Sequence, residues 1–246
     1  MRCEVPNSLA SAAHFRDKPL RSYGRRQARV LKPNMAHHLE NLLPQLRVPF
    51  DAYAQKKLEP RILFDADIKD VWLEIGFGAG EHLVTLAARH PDIGMLGCEP
   101  FVNGVAKLLS QLSQNKLANI RIHDGDAQDI LPWLARASIG KAFLLFPDPW
   151  PKTRHLKRRF LNDRTVEILA HVLRDGAEFH FASDSASYCR QAIELFHRHA
   201  DFEWQAQTAC DWRLPWAGWV PTRYEAKALK AGRKCCYLRF LRRPRP

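Results

Sequence analysis

Residues 71–99 read VWLEIGFGAGEHLVTLAARHPDIGMLGCE, and their order decides the fold. The apolar run 71–75 suits a strand covered on both faces, and Gly76, Gly78 and Gly80 end it in a tight turn. Over 81–90, Leu83, Leu86 and Ala87 recur at helical spacing, and 94–98 is a second apolar strand that stops at Glu99. Strand, glycine turn, helix, strand is the opening unit of a doubly wound parallel sheet. Glycines allow a tight turn and let a bulky ligand approach backbone amides, and the following helix offers its free N–H groups. Glu99 follows Gly76 by twenty-three residues, the place where an acid accepts hydrogen bonds from both hydroxyls of an adenosine ribose.

The glycine spacing bears on which adenosine cofactor is bound. A dinucleotide fingerprint sets its third glycine three positions after the second, to admit a pyrophosphate; here Gly80 follows Gly78 by two. Glu74, just before the turn, would repel a pyrophosphate but can neutralise the ammonium or sulfonium end of S-adenosylmethionine. These features favour a methyltransferase over a dehydrogenase.

The alternation continues downstream. A helix is expected over 101–116, with Val105, Leu108, Leu109 and Leu112 on one face, then a strand over 119–123. Asp126 follows that strand, placed to accept from an adenine amino group or to cap a helix over 127–135. The apolar run 143–146 is a fourth strand, stopped by Pro147 and Pro149, which leave Asp148 at the sheet edge where ligands of such folds bind. A helix over 160–174 ending at Gly176, a strand over 177–182, a helix over 185–199 capped by Asp184, and strands over 202–207 and 235–241 complete the pattern. The expected fold is α/β and Rossmann-like: a mostly parallel seven-stranded sheet with helices on both faces.

A chain of 246 residues, 46% hydrophobic, suits one sizeable core. Residues 1–20 read as a disordered leader, 21–70 as a basic arm with a leucine anchor (Leu39, Leu42, Leu43 and Leu46), and 71–246 as the catalytic domain. The net charge of +12 is clustered: seven Lys/Arg against one acid over 14–34, five against none over 152–159, and six against none from Arg233 onward. Three basic blocks around one core point to a broad anionic ligand. No stretch is long and apolar enough for a membrane span, and the N-terminus has no secretory apolar region. Six cysteines without paired spacing read as reduced thiols of a cytoplasmic protein, and no zinc-ligand pattern is present, so no metal is expected.

The segments RSYGRRQARVLKPN (21–34), LEIGFGAG (73–80), GCEP (97–100), LLFPDPWPKTRHLKRRF (144–160), SDS (183–185) and PTRYEAKALKAG (221–232) resemble the bacterial tRNA (guanine-N7)-methyltransferases. The resemblance runs from about residue 21 to the C-terminus. It implies a class I methyltransferase fold, S-adenosylmethionine as cofactor, tRNA as substrate, guanine 46 of the variable loop as target, and no obligatory protein partner. Carried over residue by residue, it implies cofactor contacts at Glu74, Gly76, Gly78, Gly80, Glu99, Asp126 and Asp148, with Asp148 also the catalytic residue. It implies substrate contacts at Lys152, Asp184, Thr222, Arg223, Tyr224 and Glu225. RNA contacts fall on Arg154, His155, Lys157, Arg158 and Arg159, and the arm adds Arg25 and Arg26. The chain departs from the family pattern at Pro151, at residues 32–34 and at Glu81-His82. Asp184 or Glu225 is expected to read guanine, since a carboxylate accepts from N1–H and the N2 amino group together and repels the N1 acceptor of adenine. Two alternatives are an exocyclic-amine nucleic-acid methyltransferase and a non-catalytic RNA-binding module.

Overall fold

The computed structural model describes residues 23–24, 26–28, 30–49, 57–65, 67–115 and 117–246. The expected leader, and Arg25 of the arm, lie outside the described residues. Seven strands, β1 (Asp70–Ile75), β2 (Ile93–Cys98), β3 (Ile120–His123), β4 (Ile139–Leu145), β5 (Leu173–Ser183), β6 (Phe202–Trp204) and β7 (Cys236–Arg242), form one sheet in the order β3-β2-β1-β4-β5-β7-β6. The pairs from β3 through β5 are parallel, and β7 runs antiparallel to both of its neighbours. Side chains alternate between faces along each strand: Leu73, Leu96 and Leu144 enter one buried cluster, and Met95, Phe143 and Leu145 the other. Strands covered on both faces are largely apolar, which is why they read as apolar runs, with Glu74 in β1 and Lys141 in β4 as polar breaks.

The arm is tied down where its leucines recur. Helices α1 (Pro33–Asn41) and α2 (Leu43–Leu46) bury Leu43 and pack Leu39, Leu42 and Leu46 on the core, as expected. Arg47 grips Asp124 through two bonds of 2.9 and 2.6 Å, and the Val48 N–H donates to Ile122 O beside β3. Next come α3 (Glu81–Arg89), α4 (Val102–Leu112) and the short α5 (Ala127–Ile130), which passes into a 3-10 turn at Leu131–Trp133. The helix expected over 127–135 is shorter because Pro132 cannot supply the backbone donor.

The segment after the cationic run differs from its expected boundaries. Helix α6 (Asp163–Val172) begins three residues later than expected, at a capping box in which the Asn162 side chain accepts from Thr165 N–H and the Thr165 hydroxyl accepts from Asn162 N–H. It ends before Gly176, because Leu173 already pairs with Ile139 in the sheet; Gly176 bends the start of β5 at φ 76° and terminates no helix. Helix α7 (Ala186–Arg198) takes Ser185 as its N-cap residue, not Asp184. Among the described residues no helix is long and apolar enough to cross a membrane.

Candidate active site

Strand order reverses about β1 and β4, and a cleft of about 790 Å³ opens at the C-terminal ends of the parallel strands. Its wall is drawn from the glycine turn after β1, Glu99 after β2, Asp126 after β3 and the loop after β4. Gly78 lies at φ 61°, a conformation that disfavours any side chain, and its N–H donates to Glu99 Oε2 at 2.7 Å. The other oxygen, Oε1, accepts from Phe101 N–H at 2.9 Å. The turn is backed by α4: a Cβ on Gly104 would come within 2.3 Å of Gly78 O, so only glycine lets the helix sit this close. Gly76 lines the cleft too, whereas Gly80 sits behind it as the N-cap residue of α3, against Leu108.

Glu99 is 8% exposed. Burial raises its pKa; the amides of Phe101 and Gly78, then Arg223, oppose that rise, and Asp148 adds to it. Each carboxylate oxygen that takes one amide has a second lone pair for a ligand hydroxyl. Asp126 caps α5 by accepting from Gln128 N–H at 2.8 Å, the capping use expected of it, and also lines the cleft. This cradle of glycine turn and buried acid fits S-adenosylmethionine.

Asp148 is exposed in a stiff loop. Phe146 and Trp150 on either side hold φ of 49° and 40°, a region that bulky residues rarely occupy, and Pro147 and Pro149 fix φ between them. The Phe146 N–H donates to Ala182 O at 2.7 Å, which ties the start of the loop to β5. Trp150 lies under the Arg158 guanidinium, 4.8 Å from its ring centre, and the same guanidinium is 5.3 Å from the ring of Tyr23, an arm residue in the cleft wall. Arg26 is exposed and its carbonyl accepts from Val102 N–H at 2.9 Å, laying the arm across the start of α4.

Sequence relatives bear on what this cleft does. The profile of a family described as putative methyltransferase matches residues 69–238. The tRNA (guanine-N(7)-)-methyltransferase of Nitrobacter hamburgensis is 47% identical over 220 residues, covering 89% of this chain and 86% of that protein. Proteins of the same name from Ruegeria sp. (45% identity; 95% and 92% of the two chains) and Brucella melitensis (45%; 90% and 94%) match as fully. The chain belongs to the tRNA (guanine-N7)-methyltransferase family. It is accordingly an S-adenosylmethionine-dependent methyltransferase. Solved structures agree on fold: the 16S rRNA methyltransferase KamB (TM-score 0.50, 15% identity, 72% of this chain and 90% of that one) and the aminoglycoside resistance methyltransferase NpmB1 (0.52, 13%, 72% and 89%).

The positions that match this family's motifs divide into those at the cleft or surface and those built into the frame. Lys152, Arg154 and Lys157 are exposed, and Tyr224 lines the cleft with the Arg223 guanidinium 4.9 Å from its ring centre. Glu74 is 4% exposed and accepts from His82 Nδ1–H at 2.9 Å, outside the cleft wall. The departure at His82 thus supplies Glu74 with a partner. Asp184 caps no helix; it pairs with Arg233 at 2.5 Å, because a guanidinium outcompetes a neutral amide for a carboxylate. Thr222 is the N-cap residue of α9 (Arg223–Lys230), which follows the single turn α8 (Cys210–Arg213), and accepts from Glu225 N–H at 3.1 Å. Glu225 is 5% exposed and takes Trp219 Nε1–H at 2.8 Å and the Tyr237 hydroxyl.

The basic blocks are also smaller than their composition suggests. Arg242 is 3% exposed and pairs with Asp201 at 3.0 Å, and Arg245 donates to the carbonyls of Ala170, His171 and Leu173 at the end of α6. Those arginines hold the sheet edge together. Desolvation, then the neighbouring charges of Arg158, Lys152 and Lys157, lowers the pKa of His155 below the ordinary histidine value. Tyr23 and Phe101 in the cleft wall, and Gln111, whose Nε2 donates to Ala79 O at 2.6 Å, carry no sequence signal that separates them from ordinary surface or helix residues.

Proposed function

We propose that this chain transfers the methyl group of S-adenosylmethionine to N7 of guanine 46 in the variable loop of tRNA, as a cytoplasmic enzyme whose arm (21–70) and catalytic domain (71–246) act together. The observation that carries the reading is the 45–47% identity, over about nine-tenths of the chain, to proteins of that named activity. The cleft supplies what such a reaction needs. Glu99 would accept from the ribose hydroxyls, Asp126 from the adenine amino group, and Gly76 and Gly78 let the cofactor lie against backbone. Glu74, buried beneath the turn, would act on the cofactor's ammonium end through its field. When bound, the cofactor supplies an electrophilic sulfonium methyl group. Guanine N7 carries an in-plane lone pair and needs no general base, so the protein's task is in-line placement. The purine becomes cationic as the methyl arrives, and Asp148 stands where a carboxylate stabilises that charge. Of the two acids proposed to read guanine, Asp184 has 23% of its side chain exposed, whereas both oxygens of Glu225 are taken by the frame.

Incubation with unmodified tRNA and labelled S-adenosylmethionine, followed by nucleoside identification, tests the reading: 7-methylguanosine at position 46 supports it. A methylated exocyclic amine, or no transfer, rejects it. Affinity for tRNA should fall with salt, and Lys152→Ala, Arg154→Ala and Lys157→Ala should each reduce the slope of log K against log salt by about 0.7–0.9, the value for one phosphate contact. Filter binding at several salt concentrations measures this, and an unchanged slope marks a merely solvated residue.

A further inference from the structure

Arg159 ends the cationic run, yet it points inward and is 3% exposed. Its Nε donates to Pro149 O at 2.7 Å, Nη1 to Gln191 Oε1 at 2.7 Å and to Ser187 O at 3.2 Å, and Nη2 to Ser187 Oγ at 2.8 Å. The guanidinium also lies 4.7 Å from the ring centre of Tyr188. All four acceptors are neutral. A phosphate contact needs a guanidinium that solvent can reach, and this one is turned away with four of its five N–H donors in use.

We infer that Arg159 is a positioning residue that fixes the Asp148 loop to α7, and not a contact to RNA phosphate. Pro149 follows Asp148 directly, so a bond to Pro149 O restrains the Pro149–Trp150 peptide plane, which the ring-fixed φ of Pro149 leaves one soft torsion away from the Asp148–Pro149 plane. The other end of the loop is tied by the Phe146 N–H to Ala182 O. Two anchors hold five residues, two of them in left-handed conformations that the free chain would leave. The second anchor also joins the loop to Ser187 and Gln191 on α7, the helix that starts just after Asp184. Arg159 therefore sets the spacing between the loop of the proposed catalytic acid and the segment of the acid proposed to read the base. A planar fork is needed because the acceptors lie in three directions. Burying a guanidinium without a carboxylate is costly, and the fold accepts that cost at the one place where loop, run and α7 meet.

The inference rests on the proposed function for its kinetic readout but not for its structural one. Arg159→Lys keeps the charge and loses the fork. It should lower kcat for tRNA methylation roughly tenfold, leave the salt slope of tRNA binding at the wild-type value, and speed hydrogen exchange at the amides of Asp148, Trp150 and Lys152. Arg154→Ala, run beside it, gives the slope change of a true phosphate contact. A slope reduced as in Arg154→Ala overturns the inference, and so does wild-type kcat together with wild-type exchange. Should Arg159→Lys not fold, Gln191→Ala removes one of the four bonds from the far side. It should lower kcat two- to fivefold and speed the same exchange, and no change in either overturns the inference. If the wild-type chain methylates no tRNA, the functional reading falls while the exchange comparison still decides the role of Arg159.

Discussion

Replacing Asp148 with alanine is expected to cut methyl transfer to tRNA by at least ~100-fold while the melting temperature barely moves. The side chain is exposed at the mouth of the cleft and is not part of either buried cluster, so its removal opens no cavity. The two prolines and the ties at both ends hold the loop whether or not a carboxylate is present. What is lost is a negative charge placed where the purine becomes positive, an interaction stronger in the transition state than with bound substrate. Single-turnover methylation with saturating tRNA and cofactor, set beside a thermal melt, measures both halves. Transfer within a few-fold of wild type would remove Asp148 from the chemistry, and a large drop in melting temperature would make it structural.

Replacing Glu225 with alanine should do the reverse and strike stability first. Its carboxylate accepts from Trp219 Nε1–H and from the Tyr237 hydroxyl, and one oxygen also lies 3.4 Å from Thr222 N, so one side chain joins the loop before α9, the cap of that helix and β7. Burial first, and the Glu225 carboxylate second, raise the Tyr237 pKa, which keeps the phenol protonated as a donor. Truncation leaves buried donors without an acceptor, and each such orphan costs about 1–3 kcal/mol. A total near 3 kcal/mol corresponds to a melting temperature lower by roughly 6–12 °C in a chain of this size. Calorimetry on the variant checks this, and S-adenosylhomocysteine should still raise the variant's melting temperature because Glu99 and the glycine turn are untouched. A variant with wild-type stability but no base discrimination would return Glu225 to the substrate.

Glu99 and Arg159 show how far the site was legible. Glu99 could be read because its meaning is local: an apolar strand must end in the sheet, and the first acid after the second strand stands at the ligand edge. Asp126 and Asp148 were legible for the same reason, each following directly on a strand. Arg159 was misread because five cations in eight residues look like a solvated face, and nothing in that run says that one of them turns inward. Its partners Ser187 and Gln191 lie 28 and 32 positions away. Asp184 and Arg233 are 49 apart, so the expected helix cap could not be weighed against an ion pair.

The sequence by itself determined the doubly wound sheet, the position of the cleft and the acids on its rim, because strand periodicity, glycine turns and proline stops act within a few residues and survive in any tertiary setting. Only the tertiary structure decided which charges face the solvent. A charged side chain is buried or exposed according to the partners that distant segments bring to it, and the cost of burying it unpaired is several kcal/mol. That balance turned Arg159, Arg242, Arg245 and Glu225 into parts of the frame and left Lys152, Arg154 and Lys157 on the surface.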